Sequence, residues 1–187
     1  MAEQGQVKTD DELDAQAAAT RRLALAQIRQ YPDPVLRLEA QDVREFDGDL
    51  AQLVDRMVRL MQDARGVGLA ANQVGILRRV FVIQAEEEQE PRALVNPVID
   101  ERSDELDEDD EGCLSMQGVV VPVERPVRVR IEARDEEGNP VTLELEGLPA
   151  RVAQHELDHL DGVLIIDRTT PEGKREALAV LRQSAAL

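Results

Sequence analysis

The stretch "VAQHELDHLDG", residues 152–162, contains both histidines of the chain and constrains the fold more than any other segment. His155 and His159 are four residues apart, which places both rings on one face of an α-helix. Glu156 lies beside the first histidine, and the pattern H-E-x-x-H is typical of a helix that binds one divalent cation and supplies a carboxylate base. This pattern favours a metal site over two helix histidines with ordinary hydrogen bonds.

Several residues are candidates for the third ligand. The extended pattern H-E-x-x-H-x-x-G-x-x-H matches at Gly162 but ends on Ile165, which cannot bind a metal. A downstream carboxylate, Glu172 or Glu176, is a second option that no motif supports. Cys113 in "EGCLS" is the only cysteine of the chain, and its alternative interpretation is a small buried core residue. A thiolate and two imidazoles would leave one coordination position for water.

Such a site has a definite chemistry. A divalent cation would lower the pKa of that water toward about 7 and so generate hydroxide near neutral pH. Glu156 would accept the proton and later pass it to a leaving amine. The developing oxyanion needs donors about 3 Å away, and "GVGLAANQ", residues 66–73, offers backbone N–H groups and the amide of Gln73. The alternative interpretation of that segment is a tight turn with a surface glutamine.

Composition narrows the class of protein. The 187 residues, 42% of them hydrophobic, are typical of one soluble globular domain, and with only 2% aromatic residues the core must consist of Leu, Val, Ile and Ala. A net charge of −17 disfavours binding to nucleic acid phosphates. Without a long apolar run or a signal-like N-terminus we expect a cytoplasmic protein with no membrane span. The single cysteine cannot form an internal disulfide.

The order of the predicted elements indicates an α+β fold, with strands in the middle of the chain and helices at both ends. Residues 1 to about 10 are expected to be disordered, and residues 100–112 to form an acidic loop. Helices are predicted over residues 10–30, along an apolar stripe at 50–61, over 148–160 and from Pro171 onward. Strands are predicted at "RRVFVIQ", "RALVNPVI" and "VLIIDR", together with a β-hairpin that turns at residues 137–140.

Three blocks, "GVGLAANQ", "EGCLS" and "QHELDHLDG", closely resemble in order and spacing the three motifs of peptide deformylases, and "YPDPVLR" and "LVNP" resemble further stretches of that family. The resemblance implies an α+β fold with short antiparallel β-sheets around a central helix carrying the H-E-x-x-H motif, and a C-terminal helix. It also divides the chain into an N-terminal extension, residues 1–27, partly disordered or helical, and a catalytic domain, residues 28–187.

The implied activity is removal of the N-formyl group from the N-terminal methionine of newly synthesised proteins, by attack of a metal-bound water or hydroxide. The metal is most often Fe²⁺ in this family, with Zn²⁺ or Ni²⁺ as substitutes, whereas the ligand types alone suggest zinc. The resemblance assigns the metal to Cys113, His155 and His159, the acid/base role to Glu156, and the oxyanion contacts to Gln73 and the backbone N–H of Leu114.

Substrate contacts follow from the same resemblance. Gly68 would pair its backbone with an extended peptide, and Val67, Leu148 and Val152 would line the pocket for the methionine side chain, although apolar residues of this kind equally suit a core. "EGCLSMQG" departs from the family at Met116 and Gln117, where an aliphatic residue and proline are common. The role of residues 1–27 is left open by the resemblance.

The implied partners are N-formylmethionyl nascent peptides, with no DNA and no membrane. The segment "GKREALAVLRQ", residues 173–183, either contacts the ribosome or forms a plain amphipathic closing helix. Three other functions stay open from the residues themselves: an intracellular H-E-x-x-H metallopeptidase, a non-catalytic metal module with a closed four-ligand site, and an inactive homologue that binds formyl peptides.

Overall fold

The computed structural model describes residues 10–85 and 89–184, so the predicted tail over residues 1–9 lies outside the described residues. Within these ranges the helices are α1 (Asp10–Leu25), α2 (Gly48–Asp63), α3 (Leu148–Leu160) and α4 (Pro171–Ser184). The strands are β1 (Gly68–Ala70), β2 (Val80–Ile83), β3 (Arg92–Arg102), β4 (Leu106–Gly112), β5 (Val120–Pro126), β6 (Arg128–Arg134) and β7 (Pro140–Glu146). This order confirms the α+β class.

The strands form two antiparallel sheets. One has five strands in the order β1-β2-β3-β6-β7, and the other pairs β4 with β5. In the predicted hairpin β6–β7, Val129 lies opposite Leu145 and Ile131 opposite Leu143. These apolar pairs share one face of the sheet and pack in the same cluster as α3, because alternate residues of a strand point to the same side.

The acidic segment at residues 100–112 is not the loop we expected. Strand β3 continues to Arg102, and β4 pairs with β5 from Leu106 opposite Pro126 to Gly112 opposite Val120. Strand β5 was missing from the sequence prediction, since prolines at 122 and 126 weaken a strand pattern. Its Val121 and Val123 are buried, so β5 supplies the apolar face while most acidic side chains of β4 stay exposed.

Two other boundaries differ from expectation. "VLIIDR" forms a 3-10 turn at Ile165–Asp167 rather than a strand, and the carboxylate of Asp167 accepts a hydrogen bond from the Leu164 N–H, which closes the turn. Helix α1 ends at Leu25 rather than at residue 30. Helix α2 has the predicted apolar stripe, but Leu53 is only partly buried against the core.

Helix α3 lies between the two sheets and packs on strands of both. Ala150, Ala153 and Leu160 are completely buried in a cluster with the five-stranded sheet. Pro149 occupies the first turn, as predicted, because its missing N–H has no partner there in any helix. Gly162 follows the helix with a φ of 71°, a left-handed conformation that suits glycine at a helix end. Among the described residues, no helix combines the length and apolarity that a bilayer crossing requires.

Helix α1 packs on α2, where Ala24 and Leu25 are buried in the same cluster as Met57 and Met61. Asp47 caps α2 by accepting a hydrogen bond from the Leu50 N–H at 3.1 Å. The C-terminal end of α2 leads directly to β1, so the α1–α2 pair fixes one wall of the region in front of α3.

Replacing Gly162 by alanine is expected to destabilise the protein by about 3 kcal/mol, because positive φ is strained for alanine and the added Cβ would lie 2.6 Å from the Arg37 carbonyl oxygen. Gly118→Ala is the matched control: it has a φ of 79° but its Cβ would meet only Val180 at 3.7 Å. We expect the control to lose about 1 kcal/mol in urea unfolding. Equal losses in the two variants would show that the close approach to Arg37 has no cost.

Candidate active site

The thiol of Cys113 and both imidazoles meet in front of α3. Cys113 follows β4, whereas His155 and His159 project from α3 one turn apart. The Sγ atom lies 3.3 Å from His159 Nε2, the two Nε2 atoms are 3.2 Å apart, and the three ligand atoms all lie within 4.8 Å of one another. Bonds of about 2.05 Å to nitrogen and about 2.3 Å to sulfur would separate tetrahedral ligands by roughly 3.4 to 3.6 Å. The donor set therefore fits one divalent cation.

The alternative third ligands lie elsewhere. Glu172 and Glu176 are exposed on α4, and within the described residues the group able to hold a metal contains neither of them. Ile165 is buried in the apolar cluster beneath β5. Of the options that the sequence left open, only Cys113 is beside the histidines.

The protonation of the two imidazoles differs. Burial lowers the pKa of His159, and the neighbouring His155 lowers it further, so this ring is neutral, which is the form that binds metals. Burial also acts to lower the pKa of His155, but hydrogen bonds to Cys113 and Glu111 outweigh it and raise this pKa. These hydrogen bonds favour the protonated form of the His155 ring.

Glu111 orients His155. Its Oε2 atom lies 3.0 Å from Nδ1 of His155, so Nδ1 donates to the carboxylate, and Nε2 is the nitrogen that would lose its proton to bind a cation. Burial alone would raise the pKa of Glu111, but hydrogen bonds from Arg125 and His155 hold it at about 2. The carboxylate is therefore ionised, and it fixes the tautomer that a metal ligand needs.

A buried ion network supports this carboxylate. Arg125 donates two hydrogen bonds to Glu111, of 2.6 and 2.9 Å, and a third to Asp158 at 2.9 Å. Arg151 donates to Glu111 at 2.9 Å, and Arg168 donates to Asp158. The network joins β4, β5 and α3, so the strand that leads to Cys113 is tied to the helix that carries the histidines.

Glu156 has the environment of a proton carrier. It is 4% exposed, and its Oε2 atom has no hydrogen-bond partner among the described residues. Burial raises its pKa to about 7, against the lowering effect of His155. A Cβ at Gly68 would lie 2.5 Å from Oε1 of Glu156, so glycine at this position is what gives the carboxylate its room.

Gln73 directs its amide at the same centre. It lies in a 3-10 turn, Ala71–Val74, directly after β1. Its Oε1 accepts a hydrogen bond from the Ala70 N–H at 2.8 Å, which leaves Nε2 directed at Ser115 Oγ, 3.0 Å away, and at the sulfur of Cys113, 3.8 Å away. Leu114, the residue after Cys113, is held by Gln30, whose Nε2 donates to the Leu114 carbonyl at 2.9 Å.

A cavity of about 470 Å³ opens in front of these groups. The predicted substrate residues all line it: Gly68, Val67, Leu148 and Val152. Val67 and Leu148 are 44% and 53% exposed, which suits a pocket mouth and contradicts a core role, while Val152 is buried in the wall.

Two contributions to the site were missed from the sequence. Glu111 stands in "EGCLS" but had no role there, although its place two residues before the thiol was a signal. Arg21 and Leu25 of α1 also line the cavity, and no sequence signal places them there because the contact is purely tertiary.

Comparisons with known proteins agree with this geometry. The family model described as "Polypeptide deformylase" matches residues 25–175. "Peptide deformylase 1" of Corynebacterium glutamicum is 43% identical over 165 residues, which covers 87% of this chain and 98% of that protein. The crystal structure of a peptide deformylase from Legionella pneumophila gives a TM-score of 0.80 at 38% identity, covering 85% of this chain and 94% of that one. The structure from Thermotoga maritima gives 0.74 at 46% identity, covering 77% and 97%.

The match spans most of the chain and includes every segment that contributes to the cysteine–histidine cluster. The chain therefore belongs to the polypeptide deformylase family and is a hydrolase that acts on N-formylmethionyl peptides.

Proposed function

We propose that this protein removes the formyl group from the N-terminal methionine of nascent proteins with one divalent cation held by Cys113, His155 and His159. The observation that carries the proposal is the approach of these three ligand atoms to one another, next to a Glu156 carboxylate oxygen that no described residue contacts by a hydrogen bond. When bound, the cation would act as a Lewis acid that lowers the pKa of a coordinated water. Fe²⁺ is the proposed metal, with Zn²⁺ or Ni²⁺ as substitutes, on the strength of the family resemblance.

Glu156 moves the proton in this proposal. Its buried carboxylate takes a proton from the attacking water and returns it to the amine of methionine as the formyl C–N bond breaks. A pKa of about 7 allows the same group to act as base and then as acid near neutral pH. The carboxylate can reach a reacting atom in front of the cluster because Gly68 has no side chain.

Gln73 and the backbone N–H of Leu114 bind the developing oxyanion. The Nε2 atom of Gln73 already lies beside the thiol, and the hydrogen bond to Ala70 fixes the amide so that its N–H groups face the centre. Donors that are fixed before the reaction stabilise the transition state without a cost of reorganisation.

The substrate would bind as an extended strand. Strand β1 is at the edge of the five-stranded sheet, so the backbone at Gly68 has a side open to a peptide. The exposed side chains of Val67 and Leu148, with Val152 behind them, supply an apolar lining for methionine.

We also propose a catalytic domain over residues 28–187 after an extension over residues 1–27, and a cytoplasmic location. We propose that α4 contacts the ribosome and that DNA is not a partner. The alternative of an H-E-x-x-H metallopeptidase is not favoured, because the family match covers the cysteine as well as the histidines.

Changing Glu156 to glutamine should reduce formate release from a formyl-Met peptide by about 10²-fold or more, since the amide cannot accept the proton. The metal content of the variant, measured by elemental analysis, should stay that of the wild type. Asp161→Asn, at an exposed carboxylate at the end of the same helix, is the control and should keep its rate. A near-normal rate in the Glu156 variant would exclude this residue as the base.

Changing Cys113 to serine should remove most of the bound metal, because a hydroxyl is a far poorer ligand than a thiolate. Ser115→Ala alters the same loop without touching the ligand set and serves as the control. Both proteins are purified anaerobically and analysed for metal per chain. Full metal content in the cysteine variant would remove Cys113 from the ligand set.

Glu111→Gln should weaken metal affinity by roughly 10- to 100-fold, because the amide no longer fixes the tautomer of His155. Glu108→Gln, at an exposed position of the same strand, is the control. Competition with a chelator measures both affinities, and circular dichroism verifies that the variants fold. Identical affinities in the two variants would show that the contact to His155 does not orient the ring.

A further inference from the structure

Helix α1 forms part of the wall of the catalytic cavity. Arg21 and Leu25 line it together with the end of β4 and the segment from Arg65 to Gly68. Leu25 is buried against α2, whereas Arg21 is exposed at the mouth. Arg21 lies ahead of the region that the family model matches, which begins at residue 25.

Within the described residues, one hydrogen bond positions the Arg21 side chain. Its Nε atom donates to the carbonyl oxygen of Ala64 at 3.2 Å, and Ala64 is the residue that caps α2. Among the side chains that the structure describes, no carboxylate pairs with Arg21. The two terminal nitrogens of the guanidinium are thus available at the cavity mouth, while the Nε hydrogen bond positions the side chain.

The cavity continues outward along the same helix. A second groove adjoins it and shares three lining residues with it, Arg21, Leu25 and Gln117. The cysteine–histidine cluster lies at the inner end of the cavity. A peptide whose formyl group binds there must therefore leave through the mouth of the cavity. The groove between α1 and Gln117 continues that path, and Arg22 lies farther along it.

The charge at the mouth of the cavity differs from the net charge of the whole chain. The net charge is −17, and Asp110 also lines the cavity. Arg65 lines the mouth beside Arg21, again with no carboxylate partner in the described part of the chain. An otherwise acidic protein therefore presents two guanidinium groups at the point where the substrate emerges. Guanidinium groups bind carboxylates in preference to the uncharged groups of a peptide.

We propose that Arg21 is a specificity-determining residue that binds a carboxylate on the part of the substrate that follows methionine. This inference rests on the proposed deformylation. The carboxylate has two sources: an aspartate or glutamate side chain of a nascent protein, or the C-terminal carboxylate of a short formyl peptide. The ion pair acts on substrate binding and so lowers KM, because it involves the part of the substrate that follows methionine and not the bond that breaks.

The test compares matched substrates. One pair is formyl-Met-Ala-Asp-Ser amide against formyl-Met-Ala-Asn-Ser amide, and the other is formyl-Met-Ala-Ser with a free carboxylate against its amide. Wild type should favour the charged member of at least one pair in kcat/KM by roughly threefold at low salt, the size expected of an exposed ion pair. The preference should disappear near 1 M salt, where the Debye length is about 3 Å. The pair that shows it identifies the source.

Arg21→Gln should abolish the preference through KM while kcat with the uncharged peptides stays unchanged, and Arg21→Lys should keep part of it. Arg56→Gln removes the same charge from the exposed face of α2 and should leave the preference intact. A preference that persists in Arg21→Gln, or is absent from the wild type, overturns the inference although formate is still released. Absence of formate from every peptide instead overturns the proposed function.

Discussion

The buried carboxylate of Glu111 is the interaction on which the site depends. It receives hydrogen bonds from Arg125 of β5 and from Arg151 and His155 of α3. Its own strand leads directly to Cys113. Removing one partner of a buried charge network leaves the others unpaired in a medium of low polarity, at a cost of about 3–5 kcal/mol. The same contact therefore orients a histidine and keeps the small sheet against the helix, so metal affinity and local stability are coupled.

The proposed oxyanion donors, Gln73 and the Leu114 N–H, depend on a different part of the chain. The N–H groups of Arg29 and Tyr31 donate to the carbonyls of Gln73 and Ser115 at 2.7 and 2.8 Å, and Gln30 holds Leu114. Three consecutive residues thus fix both segments that carry the proposed oxyanion donors. Because this connection follows α1 directly, the position of α1 and that of the proposed donors are set by one continuous piece of backbone.

The sequence predicted the features that depend on local residue patterns. It did not predict those that depend on pairing between segments distant in the chain. The spacing of His155 and His159, the proline at the start of α3 and the turn between β6 and β7 are local signals, and the structure has each of these elements. The acidic segment has a composition typical of a loop, yet it pairs with β5, whose own prolines hid it. Glu111 therefore falls at the end of the predicted acidic loop, although it is the one acidic residue of β4 that is buried. The approach of Arg21 to the cavity required the packing of α1 on α2, which no spacing encodes.

Substrate preference and the chemistry of the site depend on different elements of the chain. The ligand cluster, Glu156 and Gln73 are set by elements inside the matched family region, and the ion network leaves little freedom there. Helix α1 begins before that region and contributes Arg21 through one exposed turn whose backbone is anchored by the burial of Ala24 and Leu25. Substitutions on that turn alter the charge at the exit without disturbing the core contacts below it. Selectivity for the residues after methionine can therefore vary independently of the chemistry at the metal.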